Sequence, residues 1–247
     1  METNYIRYNF ESSLSRIDEI LNADNKSYQE VGSIPCRSRL THTNGFYVNC
    51  TAVFVDIRDS SKLPKIHYRP VLAKIYRSFI SEVVAIFNGN ENCREVNVQG
   101  DCVWAVFDTP GQADIRAVLV SCAQVNALIK IINVKLQRKA YQSFKVGIGV
   151  DYGRALMIKA GYKGSTINEV VWMGDVVNQA CNLCAYGSSY ENQTFAHPII
   201  ISTKIYNKLV VTAEDQWNEW FTRDSRDDFY YGDINPVDMD NWLRNHK

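Results

Sequence analysis

The chain has 247 residues, enough for one large domain with terminal extensions and a substantial buried core. Apolar residues make up 46% and charged residues 22%, the balance of an ordinary globular protein and not of a disordered chain. Lys plus Arg and Asp plus Glu are both 27, so the net charge is zero; a nucleic-acid binder carries a basic footprint, and no such partner is expected.

No apolar run approaches the roughly 18 residues of a membrane span, and METNYIRYNFESS lacks the apolar stretch of a secretory signal. Neither membrane attachment nor export is expected. Phe10, Leu14, Ile17 and Leu21 recur at helical spacing and predict a short amphipathic helix over 9–22. Residues 23–45 are polar, with Gly32, Pro35 and Gly45, and read as a connector. FYVNCTAVFVDI (46–57) reads as a central strand, followed by a polar turn, RDSSKLPK. Residues 66–88 place Val71, Leu72, Ile75, Phe79, Val83 and Phe87 on one helical face. CREVNVQGDCVWAVFD (93–108) reads as two strands around Gln99-Gly100, and 111–140 as a long helix. FKVGIGVDYGRALMI (144–158) predicts a strand, a turn at Gly153 and a second strand, with Gly147 and Gly149 permitting close packing. EVVWM (169–173) is a strand, 174–187 a helix closed by Gly187 with Asp175 as its N-cap, and HPIIIST (197–203) the last core strand. The tail from 213 to 247 is rich in Trp, Phe and Tyr and is expected to pack onto the rest, although its acidity argues against a strand core. The order β-α-β-β-α-β is the ferredoxin-like split pattern, an α+β fold with a mixed sheet and helices on one face.

Two carboxylates draw attention. Asp56 ends an apolar strand and Asp101 sits in a hairpin turn, so the topology brings both to one end of the sheet. Unpaired, they repel, and a divalent cation bound by hard oxygen ligands relieves that repulsion. Equally, Asp56 could cap its turn and Asp101 could be an ordinary hairpin residue. The seven cysteines form an odd set with no signal peptide, as in a reduced cytoplasmic protein. The one CxxC, Cys181 to Cys184, lacks a second pair for zinc and reads as two small buried residues on a helix. His42, His67, His197 and His246 form no ligand pattern.

FVDIRDSS, VNVQGDCVWAVF and GIGVDYGRALM…VVWMGDVVNQACNL together resemble the class III nucleotide cyclase catalytic domain. NGFYVNCTAVFVDIRDSSKL and the helix after it are similar to one branch, the pyrimidine nucleotide cyclases of the bacterial anti-phage Pycsar system. The resemblance implies a catalytic domain over 46–205, an N-terminal helix and connector over 1–45, and an extension over 206–247. It implies a ferredoxin-like fold working as a head-to-tail homodimer. Asp56, Asp101 and the carbonyl of Ile57 match ligands of two divalent ions, Mn or Mg. Amides near Arg58 to Ser61, with Ser60 among them, match a triphosphate cradle, and Asn178 of the partner copy matches the residue that orients ribose.

Three positions depart from the purine cyclases. Asn97, four before Asp101, stands where a lysine reads adenine, and Val171 stands at a second base-reading position. Asn182, four after Asn178, stands where an arginine stabilises the transition state; Arg58, Lys159 and Lys163 are candidates to replace it. Phe46 and Tyr47 open the first strand and are candidates to narrow the base pocket. The implied activity is conversion of CTP or UTP to cyclic CMP or cyclic UMP, with a slight preference for CTP. The resemblance further implies that the product acts on a separate cyclic-nucleotide-responsive effector in anti-phage defence. Alternatives are a degenerate nucleotide-sensing domain or another palm-type enzyme; QGDCV in place of a GG(D/E)EF-type turn argues against the latter.

Overall fold

The computed structural model describes residues 2–188, 197–209, 216–225 and 228–246. The elements in chain order are α1 (Phe10–Leu21), β1 (Tyr28–Glu30), β2 (Gly45–Ile57), α2 (Leu63–Ile66), α3 (Arg69–Asn88), β3 (Cys93–Gln99) and β4 (Cys102–Phe107). There follow α4 (Gln112–Gln137), β5 (Val146–Gly161), β6 (Asn168–Met173), α5 (Asp175–Tyr186), β7 (Ile199–Ser202) and α6 (Thr203–Leu209). The chain closes with α7 (Trp217–Trp220), β8 (Thr222–Arg223), β9 (Phe229–Gly232) and α8 (Val237–His246). Two compact units divide these elements: Met1–Asn49 with Arg154–Asp175, and Cys50–Gly153 with Val176–Lys247.

In the smaller unit, the Asn9 side chain accepts the Ser12 N–H at 2.7 Å and caps α1, whose residues all remain at least partly exposed. The expected connector also holds β1, parallel to the start of β2 with Tyr28 opposite Gly45. A three-residue strand carries no periodicity to read. The far half of β5 pairs antiparallel with β6, from Leu156–Met173 to Gly161–Asn168. β5 runs unbroken through Gly153, where a turn was expected. Gly153 has ordinary space around it and no positive φ, so nothing there bends the strand.

In the larger unit the strand order is β3-β4-β2-β5-β7-β9-β8. β2 therefore neighbours β4, the second strand of the hairpin, and not β3, because the crossover through α3 skips one position that the hairpin return fills. Alternation along the strands splits the sheet into two faces. Val53, Val55, Ile148 and Ile199 face α3 and α4, where Phe79 and Phe87 are fully buried and contribute about 2 kcal/mol each. α5 covers part of the other face, where Leu183 meets Ile200. Gly147 and Gly149 admit it, as expected: a Cβ at either would collide with backbone atoms of Ala180 or Cys184. Asp175 is the first residue of α5 and not its cap; Gly174 precedes it at a φ of 149°. Of the CxxC pair, Cys184 is buried but Cys181 is exposed.

The tail departs most from expectation. β9 pairs antiparallel with β7, Ile199 opposite Gly232, so the tail extends the central sheet. Phe221 and Phe229 are buried there, while the acidic residues fall mainly on turns and on α8. Parts of the expected tail, 210–215, 226–227 and 247, lie outside the described residues. Among the described residues one helix, α4, is long and apolar enough to cross a membrane, and 61% of its apolar window is buried in the protein.

Candidate active site

β2 and the β3–β4 turn deliver two acids to one place. Asp56 pairs with Cys102 across β2–β4, and Asp101 immediately precedes Cys102 in a turn whose Gly100 has a φ of 64°. Burial first, then the charge of Asp101, pushes the Asp56 carboxyl up, while Arg58 pulls it down. The Asp56 side chain keeps 34% of its surface open to solvent. Two partly exposed carboxylates brought together in this way fit a hard divalent cation, with oxygens to bind it and charges to neutralise. Among the described residues no group of three or more His, Cys, Asp or Glu forms a metal cage. A cation held here would complete its shell with carbonyl, water or phosphate oxygens.

The loop after Asp56 turns at Asp59, which takes a φ of 56°, and continues into a 3-10 turn at Ser60–Lys62. Tyr76 of α3 hydrogen-bonds the Ser60 side chain and faces both carboxylates; burial, then Asp101, pushes its phenol up, with Asp56 adding to this and the Ser60 bond opposing it. Sequence reading passed over Tyr76 because it lies one step beside the stripe of Ile75, Phe79 and Phe87. The available signal was a polar-tipped aromatic at the edge of that helix face. Arg58 turns its guanidinium inward, 2.9 Å from the Cys184 carbonyl and 3.6 Å from Asp56 Oδ2, a different engagement from the expected nucleotide contact.

Asn97 stands opposite Trp104 in the β3–β4 ladder, and Trp104 stacks on Phe54 at 5.2 Å. Asn97 Nδ2 is buried without a protein hydrogen-bond partner. By strand alternation Phe54, Asp56, Cys102, Trp104 and Asn97 share the sheet face opposite α3 and α4. Burial pushes the Cys102 thiol up to about 12, with Asp56 adding to it, so it remains a neutral neighbour. Asn178 lies on the exposed side of α5 with Cys181 and Asn182, and the three carry no cation.

Phe46, Tyr47 and Lys159 belong to the smaller unit. Phe46 is buried beneath Arg39, 4.7 Å from its ring centre. Tyr47 lies under Arg154 at 3.7 Å, and Arg154 also pairs with Glu30. Lys159 stands opposite Val170, and Val171 opposite Ile158. Burial lowers the His42 pKa, with Lys159 and Lys163 adding to that, and Lys163 is paired with Glu19.

Residues 44–220 match the family described as the adenylate and guanylate cyclase catalytic domain. The chain belongs to that family. Over its whole length it is 39% identical to a uridylate cyclase from Gulbenkiania mobilis, covering all of that protein too. It is 34% identical to a uridylate cyclase from Treponema porcinum, over 96% of this chain and 82% of the other. Among solved structures, the adenylyl cyclase CyaB from P. aeruginosa aligns with a TM-score of 0.64 at 17% identity, over 79% of this chain and 98% of that one. The guanylate cyclase domain of RhGC from Catenaria anguillulae, in complex with GTP, aligns at 0.55 and 16% identity, over 76% and 97%. These two share the fold: a mixed sheet with helices in the class III cyclase arrangement.

Proposed function

We propose that this protein is a uridylate cyclase, converting UTP to 3′,5′-cyclic UMP and pyrophosphate. The observation that carries the chemistry is the meeting of Asp56 and Asp101, with a raised Asp56 carboxyl, at one open sheet end. The choice of uracil, in place of the slight sequence preference for CTP, is supported by the two relatives' names. Catalysis resides in 46–205, with 1–45 and 206–247 as extensions.

Asp56, Asp101 and the Ile57 carbonyl hold divalent cations, two in number, Mg or Mn. Bound there, such ions would lower the pKa of the ribose 3′-hydroxyl and neutralise phosphate charge. The hydroxyl oxygen bonds to the α-phosphorus in line, the bond to pyrophosphate breaks, and the hydroxyl proton passes to water. Ser60 and the amides of its turn cradle the triphosphate. Asn178, from the partner copy of a head-to-tail dimer, orients the ribose. Asn97 meets the base edge, and its unpartnered Nδ2 is a donor suited to a pyrimidine carbonyl. Phe46, Tyr47 and Lys159 remain proposed substrate contacts, and Lys163 with Lys159 remains a proposed source of the cation missing at Asn182. The protein works in the cytoplasm, and its product signals phage infection to a separate effector.

Incubation with Mn and each of the four nucleoside triphosphates, with product identification, tests this. UTP is expected to be turned over best. Preference for CTP moves the base assignment, and preference for ATP or GTP removes the pyrimidine reading. Asn182, where the family carries an arginine, favours a second reading as a nucleotide-sensing domain, which absence of all turnover would support.

A further inference from the structure

One side chain touches both the carboxylate that ends β2 and the helix that bears Asn178. Arg58 Nη2 donates to the Cys184 carbonyl at 2.9 Å, and Nη1 reaches the Ala185 carbonyl at 3.5 Å. Both carbonyls belong to the last turn of α5, the negative end of the helix dipole, where the Cys184 carbonyl also accepts the Gly187 N–H at 3.1 Å. The same Nη2 lies 3.6 Å from Asp56 Oδ2 and 3.4 Å from Cys184 Sγ. The Arg58 backbone is fixed as well: its N–H donates to the Lys145 carbonyl at 2.8 Å. Only 16% of the side chain is exposed. Gly147 clears its path, since a Cβ there would strike Nη2 and the Cys184 and Gly187 carbonyls together. The planar fork of arginine can span a carboxylate and helix carbonyls at once; the point charge of lysine cannot.

We propose that Arg58 is a positioning residue that couples Asp56 to the placement of Asn178. This rests on the proposed function, in which each α5 serves the partner's site. Arg58 then links the carboxylates of one composite site to the ribose-orienting helix of the other, within a single chain. The guanidinium is oriented by Asp56 on one side and holds the end of α5 on the other, so the two groups shift together.

Arg58→Gln, Arg58→Lys and Asn178→Ala, singly and combined in the full chain, test the coupling, with thermal melts to verify folding. Arg58→Gln is expected to lower kcat about tenfold and to speed hydrogen exchange of the α5 amides from Leu183 to Tyr186. Arg58→Lys, which keeps the charge but loses the fork, should recover less than about a third of the lost kcat. Combined with Asn178→Ala, Arg58→Gln should cost at least about threefold less than the product of the two single losses. Independent, multiplicative losses would overturn the coupling, as would unchanged exchange in α5.

Heterodimers of an Asp56→Ala chain with an Asn178→Ala chain keep one whole site. Adding Arg58→Gln to either chain should lower the remaining turnover. If it acts only on the chain that supplies the carboxylates, the coupling is overturned. If the parent heterodimer is inactive with subunit exchange verified, it is the shared-site reading that fails, and the coupling is decided by the combined variants and the exchange data.

Discussion

A half-buried carboxylate facing a second carboxylate costs the fold free energy until something neutralises the pair. Because the Asp56 carboxyl is raised in the folded protein, its contribution favours folding when protonated and turns unfavourable as pH climbs through the folded value. Asp56→Asn should therefore abolish cyclisation yet raise the melting temperature of EDTA-treated protein at pH 7. That gain should shrink as pH falls through the folded value of Asp56 and vanish below the ordinary carboxylate value, where the unfolded chain is protonated as well. Product assays and melts across this range test both halves, and a lower Tm at pH 7 would contradict the repulsion. Asn97 makes a complementary case. Its Nδ2 has no protein partner, so Asn97→Ala should leave Tm within about 2 °C while lowering kcat/KM for the favoured pyrimidine about tenfold. Equal losses in Tm and activity would make Asn97 a structural residue. Asp56 and Asp101 were legible in sequence because each ends or turns a recognisable strand. Tyr76 and the inward turn of Arg58 were not, because helical periodicity tells which residues face the core and not which neighbour a polar tip meets.

At the scale of elements, α5 lies so close to β5 that two glycines replace side chains. Gly149→Ala would set a methyl group against the Ala180 carbonyl and the Cys184 amide, backbone atoms that cannot rotate away. Overpacking of this kind costs about 2 kcal/mol, or roughly 4–8 °C in Tm for a chain of this size. Because α5 carries Asn178, kcat should fall further than the lost stability accounts for when assayed well below the melt. A Gly149→Ala protein with wild-type Tm would mean that α5 has room to move. Glycines spaced by two in an apolar strand announced this packing in the sequence. Gly153, in the same strand, was read as a turn because glycine permits a turn as readily as a close approach, and only the third dimension separates the two.

For the whole molecule, the tail belongs to the core architecture. Its acidic character argued against a strand, yet β9 needs only four residues, and Phe229 with Gly232 supplies the buried end positions beside β7. Charge counted over a segment hides such a short apolar island. The loop after β9 is then pinned to α4. Asn126 Nδ2, with two hydrogens to share, lies within hydrogen-bond distance of three acceptors: Asp233 Oδ1 at 2.7 Å, the Ile234 carbonyl at 2.9 Å and Asn235 Oδ1 at 3.1 Å. Lys130 adds an ion pair to Asp233 at 2.5 Å. Burial pushes the Asp233 carboxyl up, but hydrogen bonds from Lys130 and Asn126 outweigh it and hold it below the ordinary carboxylate range. A depressed folded value stabilises above the unfolded value, and that stabilisation is lost as pH falls through the folded one. Asp233→Asn should accordingly lower Tm at pH 7. The carboxylate is 42% exposed, so solvent screening limits the effect to about 1 kcal/mol, or about 2–4 °C. The gap to wild type should stay constant down to the ordinary carboxylate range and close in stronger acid, where the native carboxylate also takes up its proton. Melts at pH 7 and across the acid range measure this, and a gap that persists after protonation would assign the loss to packing in place of charge. Catalytic rate at 25 °C should be unchanged, because the clamp holds the tail and touches neither carboxylate nor α5.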